Sequence, residues 1–328
     1  MSDKRVFLRD CLWPYNPPMR ILVGGSRLRV SLLLLACPPA LTGKCLHPMV
    51  FLNSVAHDLT VHRDIRADDL EVKVDGKRAR VVSLSLNSGP RRIIMMVDTS
   101  GSMSPSPQTS GWGISLRTAV FAVDSVPSNA SVAMVTFSDK PQRESDGFEE
   151  RQQIRRRVLE LAKREPKGHT ALYDSIDQAL SLFETPQPGD AIYLVSDGGD
   201  NKSKVSLTKL REKLVAHGVR VFVFLVPSEH LVTPEEVEGE ALMDKLAEFT
   251  GGYVIRIPWP EIRRNEQTWL VRSATQISDQ VQAMYEMELD ISGVVASAVR
   301  VRVVVANRKR AKSTLAYPRQ LTPCLPEP

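Results

Sequence analysis

Three short segments carry side chains whose types suit one kind of chemistry. The first is Asp98-Thr99-Ser100-Gly101-Ser102, the second holds Thr170 within Gly168-His169-Thr170-Ala171-Leu172, and the third is Ser196-Asp197-Gly198. In an extended turn, residues 98, 100 and 102 point the same way and deliver one carboxylate and two hydroxyls to a single place. Thr170 adds a third hydroxyl and Asp197 a second carboxylate. That inventory is all oxygen, which hard cations prefer; Mg²⁺ is the expected ion, with Mn²⁺ or Ca²⁺ as substitutes. Hydroxyls are neutral donors, so the ion keeps most of its charge, and water fills the remaining positions. An Asp or Glu carboxylate on a partner protein can displace one such water. The expected role is therefore a metal bridge between proteins and not an enzyme.

For these segments to converge they must lie at the ends of adjacent elements. Residues 93–97 form an unbroken apolar run that stops at Asp98, and residues 192–195 form another that stops at Ser196-Asp197. Such runs read as strands buried on both faces. Helical patterns over 114–126, 149–163, 171–183, 207–216 and 240–249 alternate with further strands over 132–137, 221–226 and 253–257. This order predicts an α/β fold, a doubly wound, mostly parallel Rossmann-like sheet with helices on both faces. Ligands of such sheets bind at the carboxyl ends of the strands, where Asp98 and Asp197 fall. Thr170 is expected at the N-cap of the helix that follows it.

These residues resemble the metal-ion-dependent adhesion site of the von Willebrand factor type A family. Asp98-x-Ser100-x-Ser102, Thr170 and Asp197 follow the family's order, and VAMVTFS (132–138) and GHTALYDSIDQAL (168–180) resemble its second strand and its threonine loop and helix. The resemblance spans about residues 91–285. It implies that Ser100, Ser102 and Thr170 contact the ion directly, and that Asp98 and Asp197 act largely through water. The flanking segments ADDLEVKVDGK (67–77) and TLAYPRQL (314–321) are similar to a bacterial exported subgroup of the family.

The chain divides into four expected parts: an N-terminal signal or anchor-like segment (1–45), a small β module (46–90), the α/β domain (91–285) and a C-terminal β extension (286–328). In the β module, Asp75-Gly76 marks a hairpin turn between strands at 70–74 and 79–86. Residues 19–41 run from basic to apolar to small, the order of a secretory signal, with Met19 a possible start. This predicts export to the periplasm, the envelope or the medium, with membrane association through that segment. Without the signal the protein would be cytoplasmic. The apolar stretch is too short to span a bilayer and holds Pro38 and Pro39. Cys37 ends a loose lipidation pattern, and in an exported chain Cys45 and Cys324 are free to pair.

Of 328 residues, 42% are hydrophobic and 25% charged, as in soluble globular proteins. The net charge of +5 is spread along the chain, so no nucleic-acid partner is expected. An alternative reading is a Mg²⁺-assisted phosphoester or ester hydrolase. It lacks the second Asp of aspartyl phosphatases, because Ser occupies position 100, and there is no G-x-S-x-G segment. Another alternative is an envelope scaffold that binds no metal. Several segments read as plain surface or as something more: the acidic stretch 228–240 as a loop or a specificity insertion, Arg155-Arg156-Arg157 as a solvated helix face, 307–310 as a turn or a basic docking patch, Asp174 as solvent-facing or orienting the loop, and His169 as solvent-facing or lining the rim. Asp200-Asn201 either shapes the rim of the metal site or merely makes a turn.

Overall fold

The computed structural model describes residues 48–104, 111–187, 189–227, 234–258, 264–291, 299–306 and 313–321. The N-terminal signal pattern, all four cysteines and the 307–310 turn lie outside the described residues.

Four strands come first: β1 (Met49–Val55), β2 (Val61–His62), β3 (Leu70–Val74) and β4 (Lys77–Asn87). Asp75 and Gly76 join β3 to β4 with φ of 46° and 80°. Two positive φ values in a two-residue loop match the twist of antiparallel strands, which is why Asp-Gly is favoured there. The α/β part follows: β5 (Arg91–Asp98), α1 (Gly111–Asp124), β6 (Ala130–Phe137), β7 (Pro141–Arg143), α2 (Arg151–Leu161), α3 (Leu172–Ala179), β8 (Ala191–Ser196), α4 (Leu207–Ala216), β9 (Arg220–Leu225), α5 (Pro234–Thr250), β10 (Tyr253–Arg256) and α6 (Glu266–Gln282). The chain then returns to extended structure in β11 (Met284–Asp290), β12 (Val301–Val305) and β13 (Thr314–Ala316).

The central sheet has the order β10-β9-β8-β5-β6-β7. Its strands are parallel except β7, which runs against β6. Successive side chains of a strand point to opposite faces, so an unbroken apolar run feeds two cores at once. Ile93, Met95 and Val97 pack with Ile114, Val158 and Ile277 from α1, α2 and α6. Ile94 and Met96 pack with Ile176, Leu214 and Leu246 from α3, α4 and α5 on the other side. The fold is mixed α/β with a mostly parallel central sheet.

The flanking strands build a second, antiparallel sheet of order β12-β3-β4-β11-β1-β13, with β2 beside β1. Strands from before and after the α/β part are interleaved in it. Val50, Leu52, Val72 and Val74 share one core with Tyr285, Met287, Leu289, Val301 and Val303. Two short segments that each lack the area for a stable core obtain it jointly. The buried Arg91 and Arg220 tie this sheet to the central one. Arg91 donates to the carbonyls of Asn87, Val281 and Gln282, and Arg220 donates to the Asn53 side chain on β1 and to the Gln280 carbonyl.

Several elements differ from the sequence reading. The helix expected over 171–183 is α3 followed by a 3-10 turn at Leu180–Phe183. The stretch expected as a loop to residue 240 is helical from Pro234, a residue suited to a first helical position because it needs no N–H partner there. The short strands β2 and β7, of two and three residues, are too brief to show a period. No helix among the described residues is long and apolar enough to cross a membrane.

Candidate metal centre

Asp98 closes β5 and is fully buried. The Ser100 N–H donates to its Oδ1 at 2.9 Å, folding the chain back over the carboxylate. A 3-10 turn at Gly101–Met103 then brings Ser102 round, and the Ser100 and Ser102 hydroxyl oxygens lie 3.1 Å apart. The two hydroxyls and the first carboxylate thus come from one tight turn.

The neighbouring strand β8 supplies the second acid. Ser196, its last residue, donates its hydroxyl proton to Asp98 Oδ2 at 2.7 Å, and its oxygen accepts the Gly198 N–H at 3.0 Å. Asp197 follows with 4% exposure, and its Oδ1 accepts the Gly199 N–H at 3.1 Å. Gly198 has φ of +89°, a conformation costly for other residues, and this bend turns the chain away after Asp197.

Thr170 is 3% exposed and sits in a loop pinned to the Asp98 turn. The Gly101 N–H donates to the Gly168 carbonyl and the Lys167 N–H to the Thr99 carbonyl, each at 2.9 Å. The Thr170 N–H donates to Asn201 Oδ1 at 2.9 Å, and the Thr170 carbonyl accepts the N–H groups of Asn201 and Lys202. The loop after β8 therefore holds both Asp197 and the threonine loop.

One sequence expectation is corrected. Thr170 is not the N-cap of α3; Ala171 occupies that position and makes no side-chain cap. Asp200 does the capping from outside, accepting the Leu172 N–H at 2.8 Å while Ser203 donates to the same oxygen at 2.6 Å. The Thr170 hydroxyl is accordingly not needed by the helix. Asp174 does not simply face solvent either: its Oδ1 accepts the N–H groups of Lys204 and Val205. At the rim, Lys202 pairs with Asp139 at 2.6 Å, and the His169 backbone N–H donates to the same carboxylate. Sequence reasoning missed Ser196, Asp139 and Ser203. Only Ser196 carried a signal, as the last residue of an apolar strand beside Asp197.

Burial, and then the negative charge of Asp197, push the Asp98 carboxyl up to about 7 from its ordinary 3.8. Hydrogen bonds from Ser100 and Ser196 pull the other way and are outweighed. Two buried carboxylates that repel each other beside a pair of hydroxyls form a set that a hard divalent cation suits: it would offset both burial and repulsion. Among the described residues no group of three or more His, Cys, Asp or Glu gathers as a ligand cluster. The donor set at Asp98 relies on hydroxyls instead. When bound, the ion would supply a Lewis-acidic coordination place, and the chain would position it through Asp98, Ser100, Ser102, Thr170 and Asp197.

The fold and site together define a mostly parallel α/β domain with oxygen donors at the carboxyl ends of β5 and β8. Residues 93–199 match the family model of the von Willebrand factor type A domain. No curated protein matches the chain in sequence. Among solved structures it is similar to a von Willebrand factor type A protein from Catenulispora acidiphila, with 14% identity, 85% of this chain and 74% of that one covered, and a TM-score of 0.47. It is also similar to an aerotolerance-related membrane protein from Bacteroides fragilis, with 20% identity, 59% and 98% covered, and a TM-score of 0.43. A third similarity is to proximal thread matrix protein 1 from the mussel byssus, solved with zinc in its MIDAS motif; identity is 18%, coverage 62% and 48%, and the TM-score 0.45.

Proposed function

We propose that this protein is a metal-ion-dependent binding module that grips an acidic group on a partner protein through one divalent cation, Mg²⁺ in the first instance. Asp98, Ser100, Ser102, Thr170 and Asp197 are the proposed holders of the ion, on a central sheet read as doubly wound. The observation that carries this is the buried pair Asp98 and Asp197, set against two adjoining hydroxyls, with Asp98 raised by burial first and then by its neighbour's charge. Neutral hydroxyls leave the bound ion electrophilic, and a partner carboxylate satisfies it better than water does. The reading is of binding and not of catalysis, at the surface of an exported protein.

Calorimetric titration with Mg²⁺ and Mn²⁺ tests the site: one ion per chain is expected for the native protein and none for Asp98→Ala. Pull-down from an envelope fraction with and without Mg²⁺ tests the role. Equal divalent binding by Asp98→Ala, or capture indifferent to a chelator, would sink the proposal.

A further inference from the structure

A cleft of about 720 Å³ opens where the outer edge of β12 faces α4 and the end of α5, and it shares no residue with the Asp98 cluster. Five cationic side chains line it, Lys73, Arg211, Arg300, Arg302 and Arg319, against one acid, Glu212. Arg319 is already paired with Glu248, and Lys73 lies 3.6 Å from Glu71. Among the described residues, no ion pair joins Arg211, Arg300 or Arg302 to a carboxylate.

Two features bear on this positive charge: one sets it in place at a cost, the other fixes its geometry. The antiparallel register sets Lys73 directly opposite Arg302 on one side and Arg78 on the other. Like charges facing each other across strands are destabilising, and here three stand in a row. Two guanidiniums are also fixed by stacking: Arg211 lies 3.9 Å from the centre of the Phe249 ring, and Arg319 lies 4.7 Å from that of Tyr317. Arg211 Nε is buried with no hydrogen-bond partner. A guanidinium held against a ring is already restricted and loses little further freedom on binding a ligand.

We infer that this cleft is a second binding site, for a compact phosphate-bearing anion carrying several negative charges. Arginine forks match the oxygens of phosphate, and clustered phosphates concentrate enough charge in this volume to offset three unpaired guanidiniums. The phosphates come either from a soluble oligophosphate or from a lipid headgroup.

Tripolyphosphate is the probe, titrated into the full chain at physiological salt with a chelator present, so that the metal site contributes nothing. Saturable binding is expected, weakened about tenfold or more in R211Q/R302Q with melting behaviour retained. Arg300→Gln, at an exposed side chain, carries the same expectation of weakened binding should the double variant fail to fold. Sedimentation with cardiolipin vesicles, whose headgroup carries two phosphates, compared with phosphatidylcholine vesicles, separates the two sources. Vesicle binding that tripolyphosphate competes away assigns the headgroup; tripolyphosphate binding alone assigns the soluble anion. Absence of both, or unchanged affinity in the variants, overturns the inference.

Discussion

Ser196 and Asp98 end adjacent parallel strands, and the Ser196 hydroxyl donates to the Asp98 carboxylate across the strand boundary at 2.7 Å. The same oxygen accepts the Gly198 N–H, so one side chain links the first acid to the turn that carries the second. Ser196→Ala removes both bonds from a buried place. A loss of about 1–3 kcal/mol in stability is expected in urea melts. Divalent affinity should fall by about 10- to 100-fold, as when a residue that orients a metal ligand is removed. Unchanged affinity would show that Asp98 needs no such support.

The raised Asp98 carboxyl makes a pH prediction. Its folded value, about 7, lies above the ordinary 3.8. The native state therefore holds a proton that the unfolded state has released, and native stability falls as pH rises through that window. In a chelator, the melting temperature should decline between about pH 4 and pH 7, an effect absent in Asp98→Asn. Added Mg²⁺ should raise the melting temperature most at and above pH 7, where the carboxylate is charged. Calorimetric melts across this range with and without the ion decide it; a flat profile in the chelator would refute the assignment.

Gly239, in α5, approaches the loop behind Asp197 so closely that an added Cβ would lie 2.3 Å from the Gly198 carbonyl oxygen. Gly239→Ala must push helix and loop apart. The expected cost is about 1–3 kcal/mol, the usual range for overpacking. Mg²⁺ affinity should drop with it, because the displaced loop carries Asp197. A variant with native stability and native affinity would mean that the loop yields freely.

Asn53 tests the joint between the two sheets at the far edge. Its side chain donates to the Ala283 carbonyl and accepts from the buried guanidinium of Arg220, which opens β9 at the amino end. Asn53→Ala should cost about 1–3 kcal/mol in denaturant unfolding by leaving that cation short of an acceptor. Metal affinity should hardly change, since the Asp98 cluster lies at the opposite, carboxyl end of the parallel strands. A large loss of affinity would show that the flanking sheet reaches the site.

By itself the sequence determined the strands at 93–97 and 192–195, the helix at 207–216 and the Asp75-Gly76 turn, because each is encoded by its own apolar run, period or turn chemistry. It also displayed the oxygen donors as three separate segments. Tertiary structure decided the rest. Asp200 capping α3 from another loop, Ser196 bonding Asp98 across strands, and β11 seated between β4 and β1 all pair residues about 30 to 240 positions apart. Local patterns do not report such pairings, because a polar side chain bonds to whichever backbone group the folded sheet brings within reach.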